Sequence, residues 1–192
     1  MRLLQEQPQT DRRIKLGIQI QLKQIKNLIE DVVDYPKKGI IFKDITPLLN
    51  NHEGLTYTTE VLAESFVDAG ATTVVGIEAR GFIFGPLVAR ILGVGFVPLR
   101  KPGKLPRETL RISYELEYGN AELEIHTDAL SAGDSALIID DVLATGGTAA
   151  ASIELVERTK ATVCGLAFAI ELTELGGRNR LVPYRTHSVL QY

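Results

Sequence analysis

The chain has 192 residues, 45% of them apolar and 23% charged, with a formal net charge of −3. That is enough chain to bury a core in one domain, and the small acidic excess excludes the electrostatic footprint of a general nucleic-acid binder. A single cysteine, Cys164, excludes an internal disulfide framework and fits a reducing, cytoplasmic setting; no apolar run reaches membrane-spanning length, and the start MRLLQEQPQTDRRIK lacks the apolar centre of a signal peptide.

In chain order, residues 1–12 read as a flexible polar extension. From Arg13 to Val33 the apolar positions Ile14, Ile18, Ile20, Leu22, Ile25, Leu28, Ile29 and Val32 recur roughly at helical spacing and predict an amphipathic helix. DYPKKGIIFKDITPLL, with Pro36 and Gly39, breaks it, and 55–70 predicts a helix closed by Gly70. The pattern then alternates: strands over 71–78, 94–101, 136–143 and 162–172, and helices over 82–93 and 148–159. Continuous apolar strands separated by helices predict an α/β domain with a parallel-rich sheet flanked by helices. Residues 101–128 are polar and punctuated by Pro and Gly, and predict an antiparallel excursion with a mobile loop.

The densest chemistry lies in LIIDDVLATGGTAAASIELVE, Leu137 to Glu157. An open α/β sheet binds ligands beyond the carboxyl ends of its strands. Asp140 and Asp141 fall there, and Ala144, Thr145, Gly146, Gly147 and Thr148 form the turn into the next helix. A glycine turn at a helix N-terminus suits a phosphate. The two acids suit vicinal sugar hydroxyls or a divalent cation. Together these features describe a phosphorylated ribose; a bare strand–turn–helix with an Asp cap is the plainer alternative. Neither a Walker loop nor a dinucleotide turn fits, because the Gly-Lys-Ser/Thr and Gly-x-Gly-x-x-Gly patterns are missing here.

LIIDDVLATGGTA (137–149) resembles the phosphoribosyl-pyrophosphate (PRPP) motif of type I phosphoribosyltransferases. YPKKGIIFKDITPLL (35–49), GIEARGFIFGPLVA (76–89), LRKPGKLP (99–106) and YELEYGNAELEIHTDAL (114–130) are similar to the adenine-using branch of that family, from about residue 25 onward. The resemblance implies a type I phosphoribosyltransferase-like domain over 1–192, with a small hood mainly from about 13–50 and a lid loop. It implies transfer of the phosphoribosyl group of PRPP to adenine N9, giving AMP and pyrophosphate in purine salvage. The transition state is expected to be oxocarbenium-like, which calls for cations at the leaving group and acceptors at the ribose.

Residue by residue, the resemblance assigns pyrophosphate to Glu78, Ala79, Arg80 and Gly81, with a cis Glu78–Ala79 peptide, and to Arg100, Lys101 and Lys104. It assigns the ribose to Asp140 and Asp141, and the phosphate to 144–148. Adenine falls to Ile41, Phe42 and Lys43, with Phe42 stacking on the purine and the backbone reading its edge. Glu117 is the acid–base or orienting group, with Arg80 as the second catalytic residue and Tyr118 in the lid. Mg²⁺ is implied, held mainly by PRPP and water near Asp140 and Asp141, as is a homodimer. His52, His126 and His187 show no metal-ligand spacing, and Cys164 reads as core. Two rivals share the PRPP motif: an enzyme for another base, which GIIFKD and LEYG count against, and a non-catalytic PRPP sensor, which need not keep the lid loop.

Overall fold

The computed structural model describes residues 21–115 and 120–192. The chain divides into two compact units, Met1–Tyr57 and Thr58–Tyr192.

In the first unit a helix (α1) is described over 21–26 and buries Ile25, with Ile29 buried just beyond its end. It stops well short of Val33. Glu30–Val33 is instead a strand (β1), antiparallel to Ile41–Asp44 (β2), with Val32 facing Phe42 and Val33 facing Ile41. The β-branched Val32 and Val33 favour the extended form, and a cross-strand ion pair, Lys43 Nζ to Asp31 Oδ1 at 2.6 Å, fastens the ribbon. The connection is closed by Asp34, whose Oδ1 accepts the Gly39 amide at 2.6 Å. Asp44 then accepts the Thr46 amide at 2.9 Å and leads into a short helix, Thr46–Asn50 (α2), with a proline in its first turn. Helix His52–Glu64 (α3) crosses the division at residues 57 and 58; it starts earlier and ends earlier than its sequence pattern suggests, and 65–70 are turns.

The second unit is built on five parallel strands: Thr73–Ile77 (β3), Gly95–Leu99 (β4), Ser135–Leu143 (β7), Thr162–Glu171 (β8) and Thr186–Gln191 (β9), in the order β4-β3-β7-β8-β9. Helix Gly81–Leu92 (α4) joins β3 to β4, and helix Gly147–Arg158 (α5) joins β7 to β8. Every residue of β3 is buried, and Ile138, Leu166 and Phe168 continue the core. Such burial on both faces is what continuous apolar strands encode. The excursion of 101–128 holds an antiparallel pair, Thr109–Glu115 (β5) and Asn120–His126 (β6). An Arg100–Glu124 bridge ties it to the end of β4.

This connectivity positions the site. The chain leaves β3 toward β4 on one side and leaves β7 toward β8 on the other. Between β3 and β7 the winding reverses, and the crevice at such a reversal is where open α/β sheets bind ligands.

Candidate active site

At the reversal the two strand ends come very close. A Cβ on residue 81 would stand 2.6 Å from the Ile139 carbonyl oxygen and 3.3 Å from Asp140 Oδ1, so only glycine fits there. Arg80, one residue earlier, reaches the neighbouring strand: its Nε lies 2.5 Å from Asp141 Oδ2. The Asp141 amide donates to Asp140 Oδ1 at 2.9 Å. Both carboxyls are pushed above the usual carboxylate range. For Asp140 the causes are burial and then the neighbouring negative charge of Asp141. For Asp141 burial is again the main cause, and Arg80 opposes it. One guanidinium pairs with Asp141 while only its charge reaches Asp140, so burial outweighs the compensation at both acids.

The cationic side of the crevice is assembled on Glu78. The Glu78–Ala79 peptide is cis, as the resemblance implied. Glu78 Oε2 accepts the Lys101 amide at 2.9 Å and Arg100 Nε at 3.2 Å. Burial raises the Glu78 pKa, but these two donors outweigh it and hold the carboxyl below its ordinary value. Arg100 also donates to the Lys104 carbonyl at 3.3 Å. A residue missed in the sequence completes the arrangement. Glu124, 2% exposed, accepts the Gly103 amide at 3.0 Å and two donors of Arg111, at 2.9 and 2.6 Å. The structure thus brings Glu78, Arg100, Lys101 and Lys104 onto one loop base. Glu78 holds that base in place, and its charge is spent on that task.

The turn after β7 leads straight into α5. Gly146, at φ +80°, is its N-cap, in a conformation suited to glycine. Thr145 and Thr148 are half-buried, and Gly146 and Gly147 buried. The turn rests on Gly177, which in ELTELGGR (171–178) reads from the sequence as part of a turn bordering the site, with no contact assigned. A Cβ on Gly177 would stand 2.2 Å from the Ala144 carbonyl oxygen and 2.8 Å from the Gly146 nitrogen. An acid pair, an arginine and a glycine turn capping a helix therefore share one sheet reversal.

The chain is similar to known proteins in sequence and in fold. The phosphoribosyl transferase domain family matches residues 45–188. An adenine phosphoribosyltransferase of Nitrosococcus oceani is 56% identical over 89% of this chain and 100% of its own length. The chain belongs to the adenine phosphoribosyltransferase family. The crystal structure of the adenine phosphoribosyltransferase from Thermoanaerobacter pseudethanolicus is 49% identical, with TM-score 0.87, covering 89% of this chain and 99% of that one. That from Saccharomyces cerevisiae, complexed with an imino-altritol bisphosphate and adenine, is 38% identical with TM-score 0.83, over 89% and 99%. The type I phosphoribosyltransferase fold expected from the sequence is the one found.

Ile41, Phe42 and Lys43, the residues that the resemblance assigns to adenine, lie in the first unit. Phe42 packs edge-on against Tyr35, with ring centroids 5.2 Å apart and planes at 73°. Ile41 is exposed at 52%, while Lys43 is engaged with Asp31. Glu117 and Tyr118 of the lid lie outside the described residues. Cys164 is half-buried, donating to the Ala136 carbonyl at 3.4 Å, and burial raises its thiol pKa.

Proposed function

We propose that the chain joins adenine N9 to C1 of PRPP, releasing pyrophosphate and forming AMP. The observation that carries this is the under-compensated Asp140–Asp141 pair set beside Arg80 and the 144–148 turn at one sheet reversal. The 5′-phosphate would sit on the turn, where backbone amides and the N-terminus of α5 meet an anion. The ribose 2- and 3-hydroxyls would donate to Asp140 and Asp141. Arg80, with Arg100, Lys101 and Lys104, would take the growing charge of the leaving pyrophosphate. Mg²⁺ would be held mainly by PRPP and water, and the hard carboxylate oxygens of Asp140 and Asp141 suit a place near it. When bound, the ion would supply charge neutralisation for the pyrophosphate.

For the base, Phe42 would stack on the purine, and the backbone of Ile41 and Lys43 would pair with the 6-amino group and N1. The yeast relative, solved with adenine, supports adenine as the acceptor. Glu117 would handle the ring proton, and the lid carrying Tyr118 would exclude water from an oxocarbenium-like species. Among the described residues no helix is long and apolar enough to cross a membrane. A cytoplasmic homodimer taking part in purine salvage is the setting we propose, without a nucleic-acid partner.

The test is a transfer assay with labelled adenine, PRPP and Mg²⁺, run beside hypoxanthine and guanine. Adenine should yield AMP and equimolar pyrophosphate. Hypoxanthine, whose edge reverses both hydrogen bonds, should fall behind by about 10⁴ in kcat/KM. PRPP binding without AMP would make the protein a sensor, and equal use of hypoxanthine would overturn the base assignment. Glu117→Gln should lower kcat by roughly 10²–10⁴ if the residue moves a proton. Equilibrium sedimentation tests the dimer.

A further inference from the structure

The phosphate turn has a floor. Gly176 and Gly177 open a short 3-10 segment, Gly177–Leu181, that follows the end of β8. Added Cβ atoms would collide in both directions. One on Gly177 would lie 2.2 Å from the Ala144 oxygen and 3.0 Å from the Thr145 carbonyl carbon, and one on Gly146 would lie 2.6 Å from the Gly177 oxygen. All of these are backbone atoms, so no rotamer change relieves the overlap.

The floor is itself anchored by one side chain. Arg178 Nε donates to Glu171 Oε1 at 2.9 Å, and its Nη2 meets Glu171 Oε2 in a forked pair. Nη2 also reaches Ser188 Oγ at 3.3 Å, and Nη1 donates to the Thr186 carbonyl at 2.6 Å. Glu171 is the last residue of β8 and 4% exposed, while Thr186 and Ser188 belong to β9. The Leu172 amide donates to the Leu143 carbonyl at 2.9 Å, which registers the end of β8 to the end of β7 just before the phosphate turn.

We infer that Gly177 and Arg178 are positioning residues for the phosphate turn: the arginine fork pins 176–178 to β8 and β9, and the Gly177 backbone is the surface that fixes Ala144–Gly146. This rests on the reading of 144–148 as the 5′-phosphate turn. An anion turn works by holding its donors ready, so a small displacement of the floor is felt as lost affinity. The anchor needs a planar fork that meets a carboxylate and a carbonyl at once, which lysine cannot reproduce.

The test uses the full chain, with ribose 5-phosphate binding by calorimetry and separate KM values for PRPP and adenine. Arg178→Lys and Gly177→Ala should each weaken ribose 5-phosphate and raise KM for PRPP by roughly tenfold or more, because ångström-scale misplacement in a positioned site can cost up to 10²-fold. KM for adenine should stay within about twofold, the signature of a lost PRPP contact rather than a general defect. Val189→Ala, at a buried apolar site on β9, is the control for destabilisation alone and should leave both KM values unchanged. If Gly177→Ala does not fold, Arg178→Lys decides. Wild-type affinity in Arg178→Lys, or the same loss in Val189→Ala, overturns the inference. A wild-type protein that ignores ribose 5-phosphate overturns the reading of the turn and the inference with it.

Discussion

β7 runs out into Asp140 and Asp141, and its neighbour β8 into Glu171. Both strand ends put carboxylates into a packed sheet, yet their surroundings differ in sign. Glu171 meets a forked Arg178, whose hydrogen bonds hold its carboxyl below the ordinary value despite burial. Asp140 and Asp141 share one arginine and are both pushed up, chiefly by burial. An acid kept for the fold is fully paired; an acid kept for a ligand is left short of partners until the ligand brings them. Glu78 and Glu124 fall on the Glu171 side of this contrast, since each is occupied in holding the 100–104 loop base.

The contrast breaks most visibly at the acid pair. Asp140→Asn should cut kcat/KM for PRPP by about ten- to a hundredfold, the effect of losing a hydrogen bond to a charged group worth about 1.5–3 kcal/mol. In the absence of ligand the same variant should melt higher than wild type at neutral pH, because it removes a poorly compensated buried charge. Glu171→Gln should do the reverse to stability, costing about 1.5–3 kcal/mol, with a smaller loss in PRPP use through the displaced floor.

Titration sharpens the comparison. A carboxyl whose folded pKa lies below its ordinary value adds stability above that ordinary value and loses it as pH falls through the folded one. Glu171 is such a group, starting from 4.5. Wild type and Glu171→Gln should therefore differ at pH 7 and converge in acid. Asp140, raised from 3.8, behaves oppositely: its protonated form favours the fold, and that contribution is lost as pH rises through the folded value. The advantage of Asp140→Asn should therefore vanish in acid and grow toward neutral pH. Melting curves across pH check both slopes, and parallel slopes would remove the distinction. The smallest effect belongs to the Arg185–Asp68 pair, 51% and 72% exposed. Asp68→Asn should leave the melting temperature essentially unchanged, as exposed surface pairs do; a clear loss would show that exposure is a poor guide here.

Much of this site was legible in the sequence because strand ends and glycine turns are local patterns. LIIDDVLATGGT states a buried strand, an acid pair and a helix-opening turn in consecutive residues. The floor under that turn is legible only as a glycine turn near the site: what Gly177 does depends on its meeting Ala144, 33 positions earlier, across the sheet. Glu124 is one of two alternating acids in AELEIH, and only pairing with β5 and Arg100 shows it buried. The helical spacing of Ile25, Leu28, Ile29 and Val32 was followed past its end, because a ribbon partner at Ile41–Asp44 takes over from Glu30. THSVLQ carries no continuous apolar run, as suits an edge strand with a single neighbour, so the sequence pattern does not mark β9.

One paired measurement tests the central claim most directly: kcat/KM for PRPP and the ligand-free melting temperature, taken on Asp140→Asn and Glu171→Gln side by side. The account predicts opposite orders. Asp140→Asn should be the poorer enzyme and the more stable protein, and Glu171→Gln the better enzyme and the less stable one. If both variants fall together in activity and in melting temperature, the two acid sites are not divided between ligand and fold, and the account is wrong.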